Sequence, residues 1–444
     1  MGNKIKNMSE SSFLKLFFGF IAACFLIAAA AMPDRGRMFT GLWEIISSPC
    51  KISTNFFALG GYAATFLNMG LVALILLGIF VLTRATVNNV STLAFLLTVG
   101  FCSWGIHVLN MWPTILGVLL YGAVKKEKPA GLANAMLFST GIAPLISELL
   151  LRYPNPDTVG FSLAGAAMAL AVGLFIGFFL PAGLANSPKV HHGFDLYSAA
   201  VPVGMTAFLL QAVLYKTFGV ALPAVDGAQL QVASRLTVNV FCGAVFGLCV
   251  ILALVLGCKP RDYWGLLAAK DRVESVSAKL GNGVFLMNVG VYGLFILGYY
   301  NLIGAEFNGV TMGVIFCMLA CCNSGSHPGN VWPIMVGYLL GSWVCGWAAA
   351  RVGGSFASAV NAQAIVVGLC YANGLSPICD KYGWPLGILA GMMHYGMVTT
   401  VPQLHGGFCL YNGGFTAALV CLLLVPQLQR FLPTRQERLA ARTR

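Results

Sequence analysis

Charged residues are scarce in this chain, because only 9% of its 444 residues are Asp, Glu, Lys or Arg. A soluble protein of this size has about 25% charged residues, so a water-soluble globule and a disordered chain are both excluded. The net charge of +12 does not indicate a nucleic-acid ligand, because the basic residues lie between long apolar segments. With 58% hydrophobic residues and a mean hydropathy of +0.82, the composition predicts a polytopic protein of the lipid bilayer.

The sequence patterns of catalytic and metal sites are also missing. The 14 Cys include no C-x-x-C pair, and no carboxylate or Cys stands at a metal-ligand spacing from the 6 His. No serine-nucleophile elbow, H-E-x-x-H sequence or paired-acid motif occurs. We therefore expect no enzymatic activity, no catalytic residue, no metal and no cofactor.

The chain contains a tandem repeat. At an offset of 220 residues, the pattern G-x-H-x-x-N-x-W-P occurs twice, at Gly105 to Pro113 and at Gly325 to Pro333. The same offset pairs further residues, namely Gly61 with Gly281, Asn68 with Asn288, Gly70 with Gly290 and Asn88 with Asn308. We predict two homologous membrane repeats, residues 1–225 and 226–444.

The repeat continues downstream with a drifting offset. Gly141-Ile-Ala-Pro144 resembles Gly374-Leu-Ser-Pro377, and the segment from His192 to Tyr197 resembles the segment from Gly406 to Tyr411. In the second comparison His191 stands opposite His405. Since histidine is rare in the chain, its recurrence at equivalent places marks these segments as candidates for function.

About seven hydrophobic segments are expected in each half. They run roughly over residues 13–32, 58–83, 91–108, 111–124, 130–150, 158–185, 197–219, 236–257, 280–302, 310–325, 331–349, 356–378, 383–401 and 411–429. We interpret the first segment as a retained signal anchor, because its length suits a full span.

The distribution of basic residues predicts the orientation. If the loops alternate from a cytoplasmic amino terminus, the cytoplasmic loops hold most of the 26 basic residues, and the other side holds only Arg35, Arg37, Lys51, Arg152, Lys216, Arg235 and Arg351. This bias predicts that both termini are cytoplasmic, in the cell inner membrane.

The odd number of segments has a further consequence. With seven crossings per half, the second half enters the membrane from the opposite face, so the halves form inverted-topology repeats. Segments 91–108 and 111–124 are short and flank the shared motif. They are open to two interpretations, two spans or one broken re-entrant hairpin, and a six-crossing unit would make the repeats parallel instead.

The shared motif predicts a break between two helices. Asn110 precedes Trp112-Pro113 and Asn330 precedes Trp332-Pro333, and Asn followed by Pro is typical of a helix start. Unpaired N–H groups at such a start need partners that lipid does not supply, so the break lines a polar cavity or is buried in protein. The alternative is a surface loop whose Trp lies at the membrane interface.

We expect the substrate-binding residues at these paired positions, with the first four converging near the membrane midplane. The candidates are His107, Asn110, His327, Asn330, Trp112, Trp332, Asn68, Asn288, His191 and His405. For the pair Asn68 and Asn288, a hydrogen bond between helices is an equally good explanation.

The acidic residues Asp195, Glu148 and Asp380 are candidates for binding a coupling ion, either a proton or sodium. A position at the cytoplasmic edge of the membrane explains them more simply. The imidazoles of His107 and His327 are further candidates, because histidine changes charge near neutral pH.

The motifs Gly105–Pro113, Gly325–Pro333 and His405–Asn412 resemble those of domain-of-unknown-function family 1576, a set of uncharacterised bacterial and archaeal polytopic membrane proteins. The resemblance covers most of the chain. It implies an integral membrane protein and supplies neither a substrate nor a functional residue.

The pattern favours a secondary transporter of a small polar or anionic solute, with its site between the two repeats at the paired helix breaks. Two alternatives stay open, a passive channel for a small neutral solute and an integral membrane scaffold or enzyme. A homo-oligomer is compatible with all three.

Overall fold

The computed structural model describes residues 8–223, 234–269, 271–356 and 358–442. These ranges fold into helices, turns and loops, and they contain no β-strand. The predicted boundary between the halves, at residue 225, lies outside the described residues. The predicted division at that residue therefore stays a prediction.

In the first half, the described residues 8–223 form ten α-helices. They are α1 (Glu10–Ala31), α2 (Met38–Ile46), α3 (Phe56–Gly60), α4 (Tyr62–Leu82), α5 (Asn89–Phe101), α6 (Trp112–Lys125), α7 (Pro129–Ser139), α8 (Ala143–Leu151), α9 (Leu163–His191) and α10 (Ala200–Gln211). A short 3₁₀ turn joins α7 to α8, and a π-helical turn extends α10.

The second half repeats this order. Its helices are α11 (Arg235–Val255), α12 (Pro260–Leu267), α13 (Val276–Leu280), α14 (Asn282–Leu302), α15 (Gly309–Leu319), α16 (Pro328–Arg351), α17 (Gln363–Ala372), α18 (Ser376–Tyr382), α19 (Trp384–Val398), α20 (Val401–Leu404), α21 (Asn412–Phe431) and α22 (Arg435–Arg442). From α1 to α9, each helix has its counterpart ten helices later, and α21 corresponds to α10.

Nine helical stretches of the described chain are long and apolar enough to cross a membrane. The other predicted segments are shorter or interrupted helices, such as α5, α6 and α15. The all-helical, multi-pass membrane architecture predicted from the composition is therefore confirmed.

Equivalent side chains begin equivalent helices in the two halves. The Asn88 side chain accepts a hydrogen bond from the Ser91 backbone N–H at 3.1 Å and caps α5, and Asn308 caps α15 through Thr311 at 2.9 Å. Gly61 (φ 87°) and Gly281 (φ 93°) precede α4 and α14. Because only glycine adopts a positive φ without steric cost, the sequence repeats it at both helix starts.

The bundle has two ends, which we call proximal and distal. At the proximal end, where α1 begins, the Glu10 carboxylate accepts hydrogen bonds from Ser275 at 2.6 Å and Ser277 at 2.7 Å. At the distal end, where α1 finishes, the Asp34 carboxylate accepts from the backbone N–H of Tyr62 at 2.7 Å. Helix α4 therefore runs back from the distal end to the proximal end.

Helices α5 and α15 cross at the centre of the bundle in opposite directions. Asn89, at the start of α5, lies 3.5 Å from Ser324, which follows α15. At the other end of the pair, a Cβ atom on Gly309, the first residue of α15, would lie 2.8 Å from the carbonyl oxygen of Ser103, which follows α5. Since repeat-equivalent helices run antiparallel, the predicted inverted topology is confirmed.

Glycine makes the close crossing of α5 and α15 possible. A Cβ atom on Gly100 would lie 2.6 Å from both the carbonyl oxygen of Gly313 and the Cys317 sulfur. Because real Cβ atoms do not approach backbone oxygens so closely, a larger residue here would push the helices apart. Small residues that allow close backbone approach are typical of helix contacts in membranes.

The inverted arrangement predicts that the ends of α6 and α16 lie on opposite sides of the membrane. Cysteines introduced at Lys126, after α6, and at Arg351, at the end of α16, should react with an impermeant maleimide from opposite sides of the membrane. The C345S background suits this experiment, because Cys345 is the one exposed cysteine of the described chain. Labelling of both positions from the same side would contradict the inverted repeat.

Candidate functional site

The first helix break, between α5 and α6, is held by its own side chains. The His107 backbone N–H donates to Asn110 Oδ1 at 2.9 Å, and the Asn110 amide donates to the Gly105 carbonyl at 3.0 Å and to Ser147 Oγ at 2.9 Å. His107 Nε2 also lies 3.0 Å from Ser147 Oγ. Both side chains are fully buried, so no face of the pair is free for a solute.

The second break repeats this arrangement between α15 and α16. The His327 backbone N–H donates to Asn330 Oδ1 at 2.9 Å, and His327 Nδ1 accepts from the Gly329 backbone N–H at 3.1 Å. The Asn330 amide donates to the Gly325 carbonyl and to the Asp380 carboxylate, which replaces Ser147. The predicted helix break is therefore present in both repeats.

The cap of the second helix start differs from the expected one. His327 is the N-cap residue of α16, and Asn330 lies in the first turn and closes a capping box with it. Protonation of His327 Nδ1 would remove the acceptor for Gly329, and the corresponding atom of His107 accepts from the Leu109 backbone N–H at 3.3 Å. The Nδ1 atoms of both imidazoles thus accept hydrogen bonds from backbone N–H groups of the breaks.

The expected convergence of the two breaks near the midplane is wrong. Because α5 and α15 run antiparallel, one break follows Ser103 near the distal end, and the other follows Ser324 near the proximal end. The fourteen residues between Asn89 and Ser103 place the breaks about 20 Å apart at 1.5 Å per residue. His107 and Asn110 therefore share no cavity with His327 and Asn330.

Asn68 and Asn288 hold the two breaks in place. The Asn68 amide donates to the carbonyls of Cys102 and Ile106, both at 2.8 Å, and its oxygen accepts from the Val108 backbone N–H at 3.2 Å. Asn288 makes the matching pair of bonds in the second half, both at 2.9 Å. Of the two explanations that the sequence left open, these contacts support the structural one.

The motif tryptophans lie at the surface. Trp112 and Trp332 are each 39% exposed, and the Trp112 indole N–H donates to the Val108 carbonyl at 2.9 Å. Trp332 borders a separate cavity of about 680 Å³, together with His327 and Asp380. These positions agree with tryptophan at a membrane interface.

The loops that end in Phe-x-Leu-Tyr link the two halves. The Leu196 backbone N–H donates to the Gly374 carbonyl at 3.0 Å, and the Leu410 backbone N–H donates to the Gly141 carbonyl at 2.8 Å. The loop of the first half thus pairs with the α17–α18 junction of the second half. The loop of the second half pairs with the α7–α8 junction of the first. The hydroxyl of Tyr197 extends this contact by donating to the Cys317 carbonyl at 2.9 Å.

A cavity of about 630 Å³ lies between the halves at the proximal end. Its walls come from α5, α7, α9 and the loop before α10, and Arg272 and Ser324 of the second half complete them. The polar side chains at its surface are Asn89, Glu127, Asn134, His191, Asp195, Ser198, Arg272 and Ser324. Its volume lies within the range of about 300–1,000 Å³ that is typical of small-molecule sites.

Of the predicted substrate-binding residues, His191 is the one that borders this cavity. Its Nε2 lies 2.8 Å from Ser198 Oγ, and its Nδ1 accepts from the Asp195 backbone N–H at 3.3 Å. The ring therefore holds the loop around Asp195 and also contributes polar surface. Asn134, Ser198 and Arg272 were missed as binding residues, because none of them belongs to a repeated motif.

Arg272 supplies the positive charge of the cavity. It lies in the loop between α12 and α13, and its Nε donates to the Ser324 carbonyl at 3.2 Å. Burial lowers the pKa of the guanidinium from its usual value, and nearby Glu274 opposes this effect. Because an arginine in a protein stays protonated, Arg272 presents a permanent charge.

The distal end carries a related but closed arrangement. Lys51 lies between α2 and α3, as Arg272 lies between α12 and α13, and its ammonium group donates to the Pro223 carbonyl and lies 5.4 Å from the Phe408 ring. Burial lowers the pKa of Lys51. His405, the counterpart of His191, is buried, and its ring nitrogens have no hydrogen-bond partner among the described residues.

The remaining acidic candidates are already paired. Glu148 forms an ion pair with Arg152 at 2.6 Å, one helical turn away. Asp380 accepts from the Asn330 amide at 3.2 Å and belongs to the second break. Of the three acidic residues considered for ion coupling, only Asp195 borders the 630 Å³ cavity.

The fold and the cavity define a polytopic helical membrane protein of two inverted repeats. The chain belongs to the DUF1576 family, a family of proteins of unknown function, whose model matches residues 34–216 and 266–430. One matched region falls in each half, and the resemblance seen in the motifs is confirmed. No curated protein and no solved structure matches the chain.

Proposed function

We propose that the protein is a secondary transporter of a small polar or anionic solute, and that the solute binds in the 630 Å³ cavity. The observation that carries the proposal is a cavity that lies mainly in the first repeat, is completed by Arg272 and Ser324 of the second, and carries several polar side chains on a largely apolar wall. Inverted repeats with interrupted helices are characteristic of secondary transporters, whose substrate sites lie at the interface of the repeats.

The difference between the two ends supports alternating access. At the proximal end the cavity reaches exposed residues such as Glu127 and Gly131. At the distal end the corresponding region is covered, because Lys51 bonds to Pro223 and a Cβ atom on Gly406 would lie 3.0 Å from Leu222. Two repeats of one fold can exchange these arrangements, which would open the distal end and close the proximal one.

The basic residues support a cytoplasmic position of the proximal end. Lys125, Lys189, Lys259 and Lys279 lie in or next to helix ends at this end of the bundle, and the carboxyl-terminal helix α22 is held here by Arg438, which donates to the Tyr382 carbonyl. By the positive-inside rule this end faces the cytoplasm. The proposed location is the cell inner membrane, and the cavity then faces inward.

Replacement of Arg272 by glutamine should reduce solute uptake. A hydrogen bond to a charged group contributes about 1.5–3 kcal/mol, so its loss should weaken binding of an anionic group about tenfold to a hundredfold. Arg272→Lys keeps the charge and should retain part of the activity. The measurement is ligand-dependent thermal stabilisation with a panel of small carboxylates and amino acids, followed by uptake of the stabilising compound into proteoliposomes.

Arg351→Gln provides the control for this series. Arg351 lies at the end of α16 and stacks on the Trp347 ring at 4.8 Å, far from the cavity. Its replacement should leave uptake unchanged. If Arg272→Gln retains full uptake, the solute does not bind at this cavity.

A passive channel for a small neutral solute remains the second candidate. It is favoured by the 630 Å³ cavity, which reaches exposed residues at the proximal end as one mouth of a channel would. A channel predicts flux that is independent of a proton or sodium gradient and proportional to the solute gradient. Accumulation of solute against its gradient would support the transporter, and the dependence on proton or sodium would identify the coupling ion.

A further inference from the structure

We propose that Asp195 forms a binding position for a cationic group, and that with Arg272 it makes the cavity specific for zwitterionic solutes of amino-acid size. This inference rests on the proposed function and specifies its substrate class. It starts from the state of the Asp195 carboxylate. Asp195 Oδ1 accepts from the Tyr197 backbone N–H at 2.9 Å, whereas Oδ2 has no hydrogen-bond partner among the described residues.

A carboxylate in this state is costly. Asp195 is only 3% exposed, and a buried polar atom without a partner loses its hydration without compensation. Of the ion pairs found in the described chain, none includes Asp195. A buried ionisable residue that lacks an internal partner is a candidate for function, because nothing in the resting protein stabilises its charge.

The carboxylate cannot easily turn away to find water. The loop that carries it is fixed on the second half by the bond from Leu196 to Gly374, and the next residue, Tyr197, is fixed by its hydroxyl bond to Asn373 at 2.8 Å. A Cβ atom on Gly374 would lie 2.7 Å from Asp195 Oδ1, so the carboxylate packs directly on this glycine. The carboxylate is thus held in place beside the cavity, and a donor that arrives with the ligand reaches Oδ2 when the side chains that cover it move aside.

A second acceptor borders the same cavity. Asn134 Oδ1 is buried and has no hydrogen-bond partner among the described residues. Asn134 and Asp195 come from different elements, α7 and the loop before α10, and both line the cavity. Two unpaired acceptors in one cavity suit a group with several N–H donors, such as an ammonium.

The opposite charge lies in the same cavity, on the other repeat. Arg272 has five N–H donors and binds carboxylates well, whereas Asp195 attracts a cation. A solute with a carboxylate and an ammonium group would satisfy both at once. At the distal end Cys409 stands in the place of Asp195, so the carboxylate belongs to one repeat only and is not a structural requirement of the fold.

The test compares ligands that differ only in charge. L-alanine, propionate and ethylamine are added at equal concentration to the purified full-length protein, and the thermal midpoint of unfolding is measured, with a wider panel of amino acids alongside. We expect stabilisation by zwitterions and not by propionate or ethylamine. Sodium chloride is compared with choline chloride in a parallel series, because a coupled sodium ion could supply the same cation as the ammonium group.

Substituted variants show which residues the stabilisation by zwitterions depends on. Asp195→Asn keeps the shape of the side chain and should weaken zwitterion binding at least tenfold. Asp195→Cys introduces the residue found at the equivalent position 409 of the other repeat and should weaken binding to the same extent. Arg272→Gln should also lose the response, whereas Asp157→Asn, in an exposed loop, should keep it. Size-exclusion profiles like that of the parent protein show that the variants are folded.

Three results would overturn the inference. Propionate could stabilise the protein as well as L-alanine does, or zwitterion binding could survive in both Asp195 variants. Alternatively, sodium alone could stabilise the parent in an Asp195-dependent way while zwitterions do not, which would assign the position to a coupling ion. In each case uptake of the stabilising compound into proteoliposomes is measured as well. Uptake that continues would leave the transporter proposal intact, and no uptake of any panel member would reject that proposal.

Discussion

A cysteine introduced at Ala135 is expected to react from the proximal face of the membrane and not from the distal face. Ala135 lies on α7 and lines the 630 Å³ cavity, which reaches the surface at the proximal end. Attachment of a cationic methanethiosulfonate reagent fills part of this volume. We therefore expect transport to fall to about a tenth or less of the unmodified rate, because small-molecule sites bury most of their ligand.

Ala133 offers a matched control on the same helix. Ala133 is about as buried as Ala135, at 2% against 5% exposed, but it does not line the cavity, so a cysteine there should not react. Both variants are made in the C345S background. Reaction of the cysteine at position 135 from both faces would indicate a continuous pore and favour the channel. Complete modification with unchanged flux would place the transport pathway elsewhere.

Alanine at Asn68 or Asn288 should destabilise the protein more than any change in the cavity. Asn68→Ala leaves three backbone groups of the first break without their partner, those of Cys102 and Ile106 fully buried and that of Val108 partly buried. Each buried group left unsatisfied costs about 1–3 kcal/mol, so the total reaches several kcal/mol. Because Asn288 repeats two of these bonds, Asn288→Ala should have a similar effect.

The measurement is the thermal midpoint of unfolding in detergent, together with the yield of monodisperse protein. Asn186→Ala is the control, because the exposed Asn186 side chain forms its hydrogen bonds within its own helix, to the Ala182 carbonyl and from the exposed Lys189 ammonium group. We expect this variant to match the parent protein. If Asn68→Ala also matches the parent, the break is held by packing, and a role of Asn68 in binding a solute becomes the better explanation.

Much of the architecture could be predicted from the sequence, because it depends on local patterns. Long apolar segments mark helices, and the predicted segment 280–302 contains helix α14, Asn282–Leu302. Asn88 and Asn308 at the helix starts act within one turn of the chain, so the sequence shows them directly. Seven segments per half favoured an inverted repeat over the parallel alternative, and the antiparallel crossing of α5 and α15 has the inverted geometry.

The residues that the motifs predicted to bind substrate form hydrogen bonds that hold the helix breaks. A buried His and Asn at a helix break can serve a ligand or the backbone itself, and the two roles require the same residue types. His107 and Asn110 bond to the break and to Ser147, a residue nearly forty positions away, and this partner is not visible in the motif. Repetition therefore marked residues that the fold needs twice.

The sequence by itself determined that the chain is a membrane protein and that it is a tandem repeat, and it favoured inverted halves over parallel ones. These properties follow from composition, segment length and parity, which do not depend on how the helices pack. Only the tertiary structure decided which polar groups share a cavity. Asn134, Asp195 and Arg272 lie far apart along the chain and meet because the loops of each repeat pack against the other repeat. Such contacts depend on helix packing between the halves, and no local pattern specifies them.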